Sequence, residues 1–255
     1  MFLFSHPKLS LTYPADMAWT MDSNGNYYEK GVDYWMDQVL NSFKRQCNFY
    51  DIGSNFGYYS IKYHKYLNVG YAFEPVKSTF QFLSENIENN GLKNVKAFNF
   101  GLAEVPGIKL INIYNSSGCN TIFDRNIPQD HVVKKIGTEK IELEVLDKLI
   151  ATKNLLSPDL IKIDVEGAEL QVLQGARHTI NTSHPIVIFE FSEATCNDAG
   201  YKRDELLDFF DADIYSFKGI NSDEKSIELI PFEFFTSKNV GNVIAYPTNK
   251  EFLFK

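Results

Sequence analysis

From residue 48 onward, short continuous apolar runs exchange with stretches in which apolar residues recur every three or four positions. Buried parallel strands followed by amphipathic helices produce this rhythm. The runs at 48–52, 70–74, 95–99, 160–164 and 185–191 predict strands, and 213–217 and 242–246 predict two more. The stretches at 57–66, 77–90, 166–180 and about 202–210 predict helices. Phe80, Leu83 and Ile87 share the inward face of the second, and Leu170, Leu173, Ala176 and Ile180 that of the third. Asn90-Gly91 supplies a helix stop. Strands that alternate with helices predict an α/β fold, a mostly parallel sheet with helices on both faces.

The rhythm breaks in two places. Residues 108–114 and 141–145 alternate apolar and polar side chains, as in an inserted β-hairpin with two unlike faces. Between them lies a polar stretch, 115–140, containing Ser116-Ser117-Gly118. A connection of that length in a compact domain is usually functional, and it is read as a candidate substrate lid. Residues 1–47 also stand apart. They carry turn signals at Tyr13-Pro14, Asn24-Gly25 and Gly31, then Val32, Trp35, Met36, Val39 and Phe43 on one helical face. This segment is read as an N-terminal arm or cap on a domain spanning 48–255.

Composition narrows the partners. The chain has 255 residues, enough to bury a core without metal or disulfide staples. Its net charge of -8 argues against a basic groove, so nucleic acid is not expected as a partner. Cys47, Cys119 and Cys196 are odd in number and widely spaced, which excludes a disulfide framework or a paired-cysteine zinc site. No apolar run reaches the ~18 residues of a membrane span. The opening Met1-Phe2-Leu3-Phe4 lacks a basic leader, so a cytoplasmic protein without a membrane partner is expected. The 21 Phe and 14 Tyr leave two readings open, a Phe-rich core or an aromatic-walled cleft.

The sharpest local signal is Asp51-Ile52-Gly53-Ser54-Asn55-Phe56-Gly57, placed after a buried strand and at the start of a helix. Gly53 allows a tight turn, Asn55 tolerates left-handed backbone, and Gly57 allows close approach. Unpaired N–H groups at the helix start would hold a polar cofactor. Glu74 ends the next strand, where a Rossmann unit places the carboxylate that accepts from ribose hydroxyls. A dinucleotide site prefers Gly-x-Gly-x-x-Gly facing a pyrophosphate. Here an acid, Asp51, precedes the turn, which suits a cofactor with an ammonium and a sulfonium. S-adenosylmethionine (SAM) carries both and has no phosphate; NAD is the minority alternative.

Four stretches together resemble the FkbM family of SAM-dependent methyltransferases. They are Tyr50-Asp51-Ile52-Gly53-Ser54-Asn55-Phe56-Gly57-Tyr58-Tyr59-Ser60, Ala72-Phe73-Glu74-Pro75, Ile161-Lys162-Ile163-Asp164-Val165-Glu166-Gly167-Ala168-Glu169 and Pro185-Ile186-Val187-Ile188-Phe189-Glu190. The resemblance covers about 48–193 and fades on either side. It implies a Rossmann-like class I methyltransferase sheet of seven strands, the last antiparallel, and O-methylation, often of sugar or polyketide hydroxyls. It implies cofactor contacts from Asp51, Gly53, Ser54, Asn55, Gly57, Tyr58 and Glu74. By position in such a fold, Asn99, Gly101 and Leu102 lie near the adenine. Ser54 stands where the family commonly has Ala.

Ligands of an open parallel sheet lie beyond the carboxyl ends of its strands. Asp164 is there, after the fourth strand, as base, as a contact to the methionine amine, or as a cap of a helix opened by Glu166. Glu190 and Glu193, at the end of the fifth, are further candidate bases. His131, beside Asp130 in the candidate lid, could also reach an acceptor hydroxyl. Clustered carboxylates could hold Mg²⁺, but no ligand spacing demands a metal and none is predicted. The expected partner is a small-molecule or glycan acceptor, and the aromatic arm could pack against a second subunit as a homodimer. An RNA methyltransferase, a non-catalytic SAM-binding scaffold and an NAD(P)-dependent oxidoreductase are the competing readings.

Overall fold

The computed structural model describes residues 10–20, 29–125, 132–223 and 226–254. Its strands, in chain order, are β1 (Cys47–Ile52), β2 (Leu67–Phe73), β3 (Val95–Phe98), β4 (Gly101–Leu102), β5 (Gly107–Tyr114), β6 (Lys135–Glu144), β7 (Leu160–Ile163), β8 (Ile186–Glu190), β9 (Tyr215–Asn221), β10 (Leu229–Pro231) and β11 (Val240–Pro247). The helices are α1 (Lys30–Ser42), α2 (Tyr58–Lys62), α3 (Lys77–Asn89), α4 (Leu146–Lys153), α5 (Glu169–Gly175), α6 (Arg177–Ser183), α7 (Glu193–Asp198) and α8 (Glu205–Asp208). The main sheet has eight strands in the order β10-β9-β11-β8-β7-β1-β2-β3. From β3 through β8 every pairing is parallel. β11 is antiparallel to β8 and β9, and β10 is antiparallel to β9.

The expected seven strands are therefore eight, in a mixed sheet. The extra strand, β10, is three residues long and ends in Pro231. So short an edge strand has no periodicity to read, and a proline is tolerated there because no ladder hydrogen bond is asked of it. The inserted hairpin is β5 with β6, and β4 joins it in a separate three-stranded sheet. β6 begins at Lys135, so the last residues of the 115–140 stretch are strand rather than loop. Residues 126–131, and with them His131, lie outside the described residues.

Side chains alternate across the main sheet. Tyr50, Ile161, Val187 and Phe189 point into a core with Leu173, Ala176 and Ile180 of α5, α6 and the turn between them. Phe49, Leu160, Ile186, Ile188 and Ile244 point the other way, onto Val32, Met36 and Val39 of α1. Met36 and Val39 have no exposed surface, and burying each contributes about 1.5–3 kcal/mol. The arm's helix is thus one wall of the sheet's second core. Asp33 of α1 fixes it further, accepting from Tyr63 Oη at 2.8 Å and pairing with Lys62 Nζ. Most aromatics belong to the core, as in the Tyr50–Tyr71, Phe73–Phe98 and Phe98–Phe100 contacts.

Several helices are shorter than their periodicity predicts. The stretch 166–180 splits into α5 and α6, and α5 starts only at Glu169. Glu166 (φ +55°) and Gly167 (φ +104°) are left-handed, which forbids a right-handed helix there. In α3 the buried face runs through Thr79, Leu83 and Asn86, while Phe80 and Ile87 are half-buried. Asn86 is buried because it is bonded, donating through Nδ2 to the Thr12 and Phe56 carbonyls.

Candidate active site

A cavity of about 360 Å³ opens where β1, β2, β7 and β8 end. One group of lining residues comes from the glycine turn. Gly53 has φ +79°, and a Cβ on it would stand 1.8 Å from the Asp164 carbonyl oxygen. No side chain fits there, so the turn can press against the β7 end only with glycine. Asn55 takes the left-handed region at φ +49°. The Gly53 and Ser54 N–H groups both donate to Phe73 O at 3.0 Å, and the Gly57 N–H to Ser54 O at 2.8 Å.

Glu74 is buried behind this turn. It accepts from the Asn55 N–H at 3.0 Å and the Val76 N–H at 2.9 Å, one on each oxygen. Burial pushes its pKa up to about 7 against the pull of those two donors. These N–H groups are consumed within the chain, so they are not the free donors expected from the sequence. The turn instead presents side chains. Ser54 Oγ and Asn55 Oδ1 are buried without a hydrogen-bond partner, and both residues line the cavity. Gly101, Leu102 and Tyr58 line it as well.

Three residues assigned to this region are off the lining; one, Gly57 (φ +88°), packs where a Cβ would stand 2.5 Å from Leu83 Cδ1. Asp51 does not line the cavity. It is 1% exposed and accepts from Ser60 Oγ at 2.7 Å and the Ser60 N–H at 3.2 Å, so it fastens the start of α2. Asn99 is also off the lining. Its Nδ2 donates to the Glu74 and Pro75 carbonyls at 2.9 and 3.1 Å, which holds the β2 exit in place.

The second group of lining residues is charged. Asp164, Glu166 and Glu190 each bring a carboxylate oxygen within 4.8 Å of the others. Asp164 does not cap a helix. Its Oδ2 receives Lys162 Nζ at 2.7 Å, and α5 starts without a side-chain cap. Lys162 is 3% exposed, lies 4.7 Å from the centre of the Tyr59 ring and pairs in register with Asp51 across β1 and β7. The Asp164, Glu29 and Asp51 carboxylates raise its pKa and keep it an ammonium despite burial. Glu166 pairs with Arg125, and its carbonyl accepts from Thr121 Oγ1 at 2.7 Å. Burial still pushes Glu166 up to about 8. The chain's own cations thus occupy two of the three clustered carboxylates.

Glu190 is less well matched. Its only described hydrogen bond is from Thr195 Oγ1 at 3.4 Å. Desolvation, then Glu166, Glu169 and Asp164, hold its carboxyl well above the usual range. Glu193 is exposed at the first turn of α7 and does not reach the cavity. Beneath the cluster, buried Glu169 accepts from the Val165 and Gly167 N–H groups at 3.0 Å and so fixes the left-handed turn at Glu166.

Sequence reasoning missed four residues of this group. Lys162 was visible only as part of a motif. Arg125 lies in a polar loop. Glu29 reaches in from the arm, with Tyr59 Oη donating to it at 3.1 Å, and Asn242 sits opposite Glu190 across β11 and β8. No local pattern marks Arg125, Glu29 or Asn242. The available signal was the tertiary expectation that the last strand lies against the fifth.

Among the described residues no helix is long and apolar enough to cross a membrane. The sheet order, with its reversal between β1 and β7 and a cavity at the strand ends, defines a Rossmann-like α/β domain of the methyltransferase type. A crystal structure of methyltransferase FkbM from Methylobacillus flagellatus KT superposes with a TM-score of 0.51 at 14% identity, over 88% of this chain and 63% of that one. Residues 51–217 match the methyltransferase FkbM domain, and the chain belongs to that family. Methyltransferase sdnD of Sordaria araneosa is 30% identical over 190 residues, 59% of this chain and 72% of the relative. Hexuronic acid methyltransferase AglP of Haloferax volcanii is 28% identical over 141 residues, 54% of each chain. The chain therefore spans about half the length of the archaeal relative. Glu29 and Asn242 lie outside the matched segment.

Proposed function

We propose that this chain transfers a methyl group from SAM to a hydroxyl of a sugar or another small polyol. The observation that carries this reading is one cavity shared by two unlike groups, a glycine turn with a strand-end carboxylate and a carboxylate cluster fed by a buried lysine. The first group fits SAM. In this reading Glu74, on the cavity wall, would accept from ribose hydroxyls, and the orphaned Ser54 Oγ and Asn55 Oδ1 call for a polar ligand. Gly101 and Leu102 would flank the base. Asp51 and Asn99 would act through the backbone they hold.

SAM, when bound, supplies an electrophilic methyl group on a neutral leaving group. The chain's own residues must then align the acceptor and take its proton. Glu190 is the base in this reading. It is half-buried, weakly hydrogen-bonded and of raised basicity, as a group that collects a hydroxyl proton near neutral pH should be. Asp164, ion-paired with Lys162, would orient the acceptor or the cofactor amine. Glu193, exposed and off the cavity, has no place in this scheme. A polyanionic RNA acceptor is disfavoured by the carboxylates that line the cavity and by the net charge of -8. The kinship with a hexuronic acid methyltransferase supports a carbohydrate acceptor.

Calorimetric titration with SAM, S-adenosylhomocysteine (SAH) and NAD tests the reading. SAM and SAH should bind and NAD should not. Glu74→Ala should weaken SAM by about 10–100-fold, the effect of losing hydrogen bonds to a charged group. Binding of NAD alone, or unchanged SAM affinity in the variant, would refute the cofactor pose.

A further inference from the structure

Glu29 presents a charge problem that the methyl-transfer scheme leaves unsolved. It comes from the arm, outside the family-matched segment, and lines the same cavity as Asp164, Glu166 and Glu190. Apart from Glu74 and Asp223, which also line the cavity, this cluster sets four carboxylates against two cations, of which Lys162 is on the lining. Arg125 is taken by Glu166, and Lys162 makes its short contact with Asp164. Among the described residues neither Glu29 nor Glu190 has a Lys or Arg within ion-pair distance. Glu29 is held only by neutral donors, Tyr59 Oη at 3.1 Å and the Asn242 side chain.

Glu29 is half-buried, and a carboxylate drawn partly out of water without an ion-pair partner is a site that a ligand cation can complete. Burial raises the Glu29 pKa, the mark of an ionised form that lacks a partner, and nearby Lys162 only partly offsets this. The cavity is independently a ligand site, because the buried hydroxyl of Ser54 lines it without a partner. An acidic acceptor would add a further negative charge to this surplus. A basic amine would supply the missing positive one, through a charge-assisted hydrogen bond.

We propose that Glu29 is a specificity determinant that binds an ammonium group of the acceptor, so that the substrate is an aminated sugar or polyol and not a uronic acid. This rests on the methyltransferase reading for the location of the acceptor. Tyr59 and Asn242 orient Glu29, and Glu190 remains to take the proton of the neighbouring hydroxyl. The hexuronic acid named for the archaeal relative would then be a poor ligand here, on account of a residue outside this chain's family-matched segment.

The test compares glucosamine, glucose and glucuronic acid as ligands of the full-length chain by saturation-transfer NMR and competition. Glucosamine should bind at least about tenfold more tightly than glucose, the scale of one charge-assisted hydrogen bond. Glucuronic acid should bind most weakly. In Glu29→Gln the preference for glucosamine over glucose should shrink to about twofold or less. If glucuronic acid matched or outbound glucosamine, if the wild type showed no preference, or if Glu29→Gln retained it, the proposal would be overturned. If that variant does not fold, the wild-type ranking decides alone. Titration of the wild type with SAH is read separately. Its failure would sink the cofactor reading whatever the sugar ranking, whereas normal SAH binding with the wrong ranking would sink only the role of Glu29.

Discussion

The two halves of the cavity solve the same problem, a buried carboxylate, in different ways. At the glycine turn Glu74 is matched by backbone N–H groups of Asn55, 19 residues earlier in the turn after β1, and of Val76, two residues on. At the cluster Asp164 and Glu166 are matched by whole charges, Lys162 and Arg125, and Glu190 and Glu29 are matched by neither. The first arrangement lies within one β–α–β unit and is set once the turn after β1 has met the end of β2. The second is assembled from the arm, the loop before β6, the ends of β7 and β8, and β11. Local matching gives a rigid cradle, and distant matching leaves a surplus charge that an acceptor can complete.

The contrast makes removal of Lys162 the most damaging single change. Lys162→Met would strand Asp164 with Asp51 and Glu29 nearby, and breaking a buried ion pair from one side costs about 3–5 kcal/mol. Asp164→Asn should cost less, about 1 kcal/mol, because the buried Lys162 keeps the Asp51 and Glu29 carboxylates nearby. Urea unfolding of both variants reads the asymmetry. Equal losses would mean that Lys162 serves Asp164 alone and that the cluster is no wider than one pair.

Glu74 gives a pH-dependent counterpart. Its folded pKa is raised from 4.5 to about 7, so the folded chain holds this proton more tightly than the unfolded chain. Its stabilising contribution is complete below pH 4.5 and is lost as pH rises through about 7. The stability of the wild type relative to Glu74→Gln should therefore fall across that window, by at most about 3 kcal/mol, and be flat above it. Denaturant unfolding of both proteins at a series of pH values checks this. A flat difference throughout would mean that the two N–H donors fully offset burial.

The same contrast explains what could be read in advance. The turn at Gly53, the strand-end Glu74 and the β–α alternation were legible because each is fixed by neighbours in sequence. Asp51 was legible as a motif residue, but not as one facing Ser60 rather than a ligand, since its direction depends on how α2 is seated. The break at Glu166 and Gly167 was hidden because Leu170, Leu173, Ala176 and Ile180 keep helical spacing across both short helices. Glu29, Arg125 and Asn242 carry no local signal, and only the assembled fold brings Glu29 and Asn242 to one cavity and Arg125 onto Glu166 at its wall. β10 was missed because three residues are too few to show a period.

Ser54 gives the smallest expected effect and the finest test of the cradle. An unbonded buried hydroxyl lowers the stability of the free protein, so Ser54→Ala should leave the melting temperature unchanged or raise it, by the equivalent of at most about 1 kcal/mol. If the hydroxyl exists to meet the cofactor, the same substitution should weaken SAM by about fivefold, one ordinary hydrogen bond. The opposed signs are the useful feature. A merely structural serine would lose stability on replacement, and a bystander would change neither quantity. Higher stability with unchanged SAM affinity would place the hydroxyl against empty space. Only a gain or no loss in the free protein, paired with weaker binding, shows a cradle with one polar group held open for its ligand.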